Sequence, residues 1–175
     1  KVSNGQYTTM RIAIDKLIER GYRRIGFVIH RVHNERLLGA FLGAYLAYQY
    51  GSPLLAPLEP LVLDEVEPEP IRHWIKKEKP EVIIGGLVYD LLKEGKLLDS
   101  DIPEDTAIVG TDVPKHGELS GIFQNHEHDG AEGIRMLVGQ LLRNEFGIPK
   151  NPMTYTTFGS WHEGTTAPKR KVAAQ

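Results

Sequence analysis

Three short apolar runs, at residues 25–29, 82–86 and 107–109, constrain this chain more than anything else in it. Each is too short for a helix and rich in Val and Ile, which marks strands covered on both faces. Helical patterning separates the runs. Strands alternating with helices in this way predict a parallel sheet with right-handed crossovers. The predicted class is therefore α/β, a parallel sheet flanked by helices.

The helices follow from periodicity. Met10, Ala13, Ile14, Leu17 and Ile18 form an apolar stripe over 6–20, with Gly21 suited to the position after the helix end. Residues 34–51 read as one helix, with Asn34 placed to cap it. Residues 71–79 and 89–98 give two more, and 129–146 the last, its stripe carried by Ile134, Leu137, Val138, Leu141 and Leu142. Five of the eleven prolines fall within 52–70, so that stretch reads as extended loop with room for one short strand at 61–63. Further strands are expected at 120–124 and 155–158.

With 175 residues, 41% of them hydrophobic, the chain can bury one real core. Its net charge of −2 gives no strong attraction for nucleic acid. It contains no cysteine, which excludes disulfide and thiolate chemistry. No run approaches the roughly 18 apolar residues of a membrane span, so no membrane partner is expected. The first residues lack the apolar segment of a signal peptide. Because a helical pattern begins almost at once and no initiator Met precedes it, the chain reads as truncated at its N-terminus.

Residues 101–112 combine a proline-fixed turn, a buried strand and an acid, Asp112, just past the strand's carboxyl end. In open α/β sheets, ligands bind at that edge. A carboxylate there can accept hydrogen bonds from a ligand, or it can cap its own turn; the residues alone leave both open.

This stretch also carries a resemblance. Ile102-Pro103-Glu104-Asp105 and Ala107-Ile108-Val109-Gly110-Thr111-Asp112 resemble the "vPeDvaVvGfDd" segment of the LacI/GalR family of bacterial transcriptional regulators, in their effector-binding domain. Leu17 through Val28 resembles that family's "L.elGhrrIafi" segment. Gly121-Ile122-Phe123-Gln124 and Gly164-Thr165-Thr166-Ala167-Pro168 resemble its "lttv.Q" and "reSTapp" segments, in the same order along the chain.

The resemblance implies a periplasmic-binding-protein-like fold of two Rossmann-like lobes, each a parallel sheet flanked by helices, with a sugar or related metabolite bound between them. It assigns residues 1–168 to an effector-binding domain fragment. The C-terminal lobe would take about 8–120 and 150–168, and a helix at about 125–148 would belong to the other lobe. That helix would then expose its apolar stripe unless another segment or chain covers it. Residues 169–175 read as a mobile tail.

The resemblance also makes Asp112 an effector contact. It places Arg36 against the effector, since Arg36 precedes Gly39 at the family's spacing, although the aromatic falls one position late at Phe41. Gln124 would lie near the ligand where the chain crosses between lobes. Each has an ordinary alternative: a solvated helix Arg, and a strand-end Gln satisfied by backbone. Where the family commonly has an Asn-Asp pair, this chain has Leu87 and Val88, so Tyr89 or Asp90 substitutes or the effector carries fewer hydroxyls. Trp161 could stack on a ligand ring or pack internally.

Other chemistries have less support. His126-Glu127-His128-Asp129 holds metal-type side chains but lacks a distant third ligand, so no metal is expected. No Gly-x-Ser-x-Gly elbow, Walker loop or Gly-x-Gly-x-x-Gly occurs, and no cofactor is expected. The implied protein is not an enzyme but a cytoplasmic homodimeric sensor, whose DNA operator is met by an N-terminal helix-turn-helix absent from this chain. A solute-binding protein of a transport system is the alternative.

Overall fold

The computed structural model describes residues 1–170. In chain order the elements are β1 (Val2–Asn4), α1 (Gln6–Glu19), β2 (Ile25–His30), α2 (Arg31–Arg36), α3 (Ala40–Gly51), β3 (Leu61–Leu63) and α4 (Pro68–Glu78). They continue with β4 (Val82–Ile84), α5 (Gly86–Lys93), β5 (Ala107–Gly110), β6 (Ser120–Phe123), α6 (His126–Leu142), β7 (Tyr155–Thr157) and β8 (Ser160–His162).

The apolar runs become β2, β4 and β5, the centre of a six-stranded sheet in the order β3-β2-β4-β5-β6-β8. Every pairing is parallel except that of β6 with β8. The sheet has a core on each face. Met10, Ile14 and Leu17 of α1 and Phe41, Ala44 and Tyr45 of α3 pack on one side with Phe27 and Ile84. Ile71, Trp74 and Ile75 of α4 and Val88 and Leu91 of α5 pack on the other with Val28 and Ile83. Tyr45 brings a hydroxyl into the first core and satisfies it by donating toward the carbonyls of Ile25 and Leu58, both at 3.0 Å.

Three expectations change. The single helix over 34–51 is two, because Leu38 and Gly39 both take left-handed backbone (φ 53° and 69°) and Gly39 opens α3. The Gly39 N–H turns back to the Asn34 carbonyl at 2.9 Å, and the redirected α3 carries Phe41, Ala44 and Tyr45 into the core. Asn34 lies inside α2 and caps nothing.

The strand expected at 155–158 does not join the main sheet. As β7 it pairs in parallel with β1, which sequence patterning did not reveal, in a separate two-stranded sheet. Residues 160–162 instead supply the antiparallel edge strand of the main sheet.

The expected tail is partly anchored, since the Arg170 N–H donates to the Arg20 carbonyl at 2.8 Å and its guanidinium lies 2.9 Å from Glu81. Residues 171–175 lie outside the described residues.

Helix boundaries also move. α4 begins earlier, with proline at its start, and α5 spans Gly86–Lys93, not 89–98. α6 begins at His126 and ends at Leu142, with no buried residue along its length.

Candidate functional site

A cavity of about 320 Å³ opens at the carboxyl ends of β2, β4 and β5. Its floor depends on a close approach: a Cβ at Gly85 would lie 2.9 Å from the Val28 carbonyl oxygen, so only glycine lets the end of β4 lie against β2. Phe27, Phe41, Val66 and Leu87 supply apolar wall, while His30, His33, Asp90, Thr111 and Asp112 supply polar groups. Among the described residues no Lys or Arg lines it.

Asp112 stands one residue beyond Thr111 at the end of β5, half-exposed, with Oδ2 at 2.8 Å from Nε2 of His126. The acid also borders a second concavity of about 490 Å³, shared with Lys115, Phe123 and His126. Asp112 is thus both cavity wall and partner to the first residue of α6. Asp90 projects from α5 into the first cavity.

His33 enters from α2, its ring stacked on Phe41 with centroids 6.3 Å apart and planes 15° apart. Its Nδ1 lies 3.0 Å from the Arg36 guanidinium. Burial, then the charge of Arg36, pushes the His33 pKa below its usual 6.5, while Asp112 pulls the other way.

The remaining sequence candidates fall elsewhere. Arg36 does not line this cavity but a neighbouring concavity with Asn4, Tyr7 and Thr156; it lies one turn too far along α2, which the left-handed break at Leu38 then terminates. Gln124 is 5% exposed and engaged by protein: its side-chain amide donates to the Thr111 carbonyl at 2.7 Å, and its backbone carbonyl accepts from Asn4 Nδ2 at 3.0 Å. It braces the loop before Asp112 instead of facing the cavity. Tyr89 points to the surface, where its hydroxyl meets Glu118 and its ring lies under Lys93. Trp161 packs on the first core from β8, donates to Glu163 at 2.7 Å and lies beneath Arg20. Of the six candidates, Asp112 and Asp90 share the cavity.

Sequence reasoning missed His33 as a lining residue and His126 as the partner of Asp112. The histidine after the second strand was visible three residues before Arg36, but the unbroken helix read over 34–51 hid the geometry. Among the described residues no three His, Cys, Asp or Glu side chains converge as a metal site. No described helix is long and apolar enough to cross a membrane.

This constellation, a concave site at the carboxyl edge of a doubly covered parallel sheet, is that of ligand-binding α/β domains. No protein-family model matches the chain, and no curated protein matches its sequence.

Solved structures do match. A transcription regulator-like protein from Staphylococcus haemolyticus superposes with a TM-score of 0.66 at 17% identity, over 97% of this chain and 61% of that one. A LacI-family transcriptional regulator from Arthrobacter sp. FB24, in complex with lactose, gives 0.64 at 16% identity, over 95% and 66%. The transcriptional regulator CelR in complex with cellobiose gives 0.59 at 19% identity, over 94% and 53%. The chain therefore spans between about half and two thirds of the length of these structures. Its fold is the α/β, periplasmic-binding-protein-like fold of LacI-family effector-binding domains, as the sequence resemblance implied.

Proposed function

We propose that this chain is the ligand-sensing part of a LacI-family transcriptional regulator, taking a sugar or related small metabolite at the strand-end cavity. The observation that carries the reading is the placement of Asp112 and Asp90 on one cavity wall, beside apolar surface from Phe27, Phe41 and Leu87. Carboxylates accept hydrogen bonds from hydroxyls, and the apolar wall suits the C–H face of a sugar ring. Lactose and cellobiose in two of the neighbours support that ligand class.

No bond chemistry is required. A ligand that prefers one arrangement of Asp112 and the start of α6 shifts the population of arrangements, and a coupling of about 1–3 kcal/mol suffices to alter affinity for a second partner. In this reading the protein is a cytoplasmic homodimer, and residues outside this chain contact operator DNA.

A thermal-shift screen of monosaccharides, lactose, cellobiose, sugar acids and nucleobases, run on the protein and on Asp112→Ala, tests the proposal. The expected result is a melting-temperature rise with a neutral sugar that largely disappears in Asp112→Ala. An equal rise in both proteins would remove Asp112 from the site.

A further inference from the structure

Arg36 and His33 belong to the same short helix, yet only His33 lines the cavity. The contact between them has a determinate direction. A guanidinium has five N–H donors and no acceptor, so the imidazole Nδ1 at 3.0 Å must accept. An imidazole that accepts at Nδ1 is neutral and carries its proton on Nε2. Among the described residues, Nε2 of His33 has no hydrogen-bond partner of its own.

We infer that Arg36 is a positioning residue for the cavity: it holds His33 neutral, in the Nε2–H form, so that the ring presents a hydrogen-bond donor to whatever the cavity takes up. Phe41 stacks on the same ring, its plane within 15° of the imidazole. The polar inventory is then asymmetric, with a neutral donor at His33 and acceptors at Asp112 and Asp90. Such a site suits an uncharged ligand that offers a ring, ether or hydroxyl oxygen to His33 and a hydroxyl hydrogen to a carboxylate. It disfavours carboxylated or phosphorylated molecules, because no lining Lys or Arg among the described residues would neutralise them.

The meaning of that donor rests on the receptor reading above; the state of the imidazole does not. Other groups around the ring act on it too: His30 at the end of β2 opposes a second positive charge, while Asp112 beyond β5 favours one. Asp90 of α5 lines the same cavity. The lowered pKa of His33 shows that burial and Arg36 prevail.

Nitrogen-15 imidazole NMR on the protein, with pH titration, tests the inference without any ligand. Wild type is expected to show His33 as the Nε2–H tautomer, titrating below 6.5. Arg36→Met should let the Nδ1–H tautomer appear and raise the pKa, and Arg36→Lys should restore part of the wild-type behaviour. Arg36 is exposed, so an unchanged amide spectrum would confirm that the fold persists. An Nδ1–H tautomer in wild type, or identical tautomer and pKa in Arg36→Met, would overturn the inference. Neither result would bear on the thermal-shift screen, so failure here and failure of the receptor reading are distinguishable.

Discussion

α1 and α6 carry the same apolar spacing and meet opposite fates. In α1 the residues at i, i+3, i+4 and i+7 are Met10, Ala13, Ile14 and Leu17, all 0% exposed. In α6 they are Ile134, Leu137, Val138 and Leu141, between 46% and 63% exposed. α1 lies against α3 and the main sheet, whereas α6 touches chiefly β1 of the small two-stranded sheet. An amphipathic pattern states that a helix has a face to bury. It does not state where the covering surface lies, and for α6 the described residues supply little of one.

Substitutions can break this contrast. Ile14→Ala removes a fully buried side chain from a packed core and should lower unfolding free energy by about 2–5 kcal/mol in chemical denaturation. A loss below that range would mean the α1 face is looser than its burial implies.

Glu81→Gln should have a middle-sized effect at the amino-terminal edge of the same sheet, away from the cavity. There Oε2 accepts from the backbone N–H groups of Arg23 and Arg24 at 2.7 and 3.0 Å, and Oε1 meets Arg170. Burial pushes the Glu81 carboxyl up, but these donors outweigh it and hold the pKa below 4.5. A carboxyl with a lowered folded-state pKa stabilises the fold above its unfolded value, and that contribution fades as pH falls through the folded one. The Gln variant should lose about 1–2 kcal/mol at neutral pH and converge on wild type in acid. A gap that persisted below pH 3 would assign the effect to packing. Leu137→Ser on α6 should have the smallest effect, within about 0.5 kcal/mol by the same denaturation measurement. A cost near that of Ile14→Ala would show that this face is covered in solution.

The cavity offers the same lesson at smaller scale. Asp112 was legible because it follows a strand recognisable from three consecutive apolar residues, and strand ends in such sheets form binding edges. Asp90 was legible as one of two possible substitutes at a turn. Arg36 and Gln124 were candidates by spacing, but their side-chain directions depend on events elsewhere in the chain. Arg36, a turn beyond His33 on α2, lines the neighbouring concavity instead of the cavity, and Asn4, 120 residues earlier, helps bury Gln124. Tyr89 is drawn to Glu118, 29 residues on, which local patterning could not nominate, whereas Trp161 turns to Glu163, two residues along its own strand end.

Local periodicity, turn residues and the β-α alternation by themselves determined the class of fold, the central strands and the edge where the cavity opens. Those signals arise within a few residues, because each helix or strand must present an apolar face whatever it packs against. Only the tertiary structure decided that β1 pairs with β7, that α1 is buried and α6 is not, and that His33 faces the cavity while Arg36 stands behind it. The strand pairing and the burial of α1 rest on contacts between residues far apart in sequence, and a chain records its own periodicity but not the surface that will meet it.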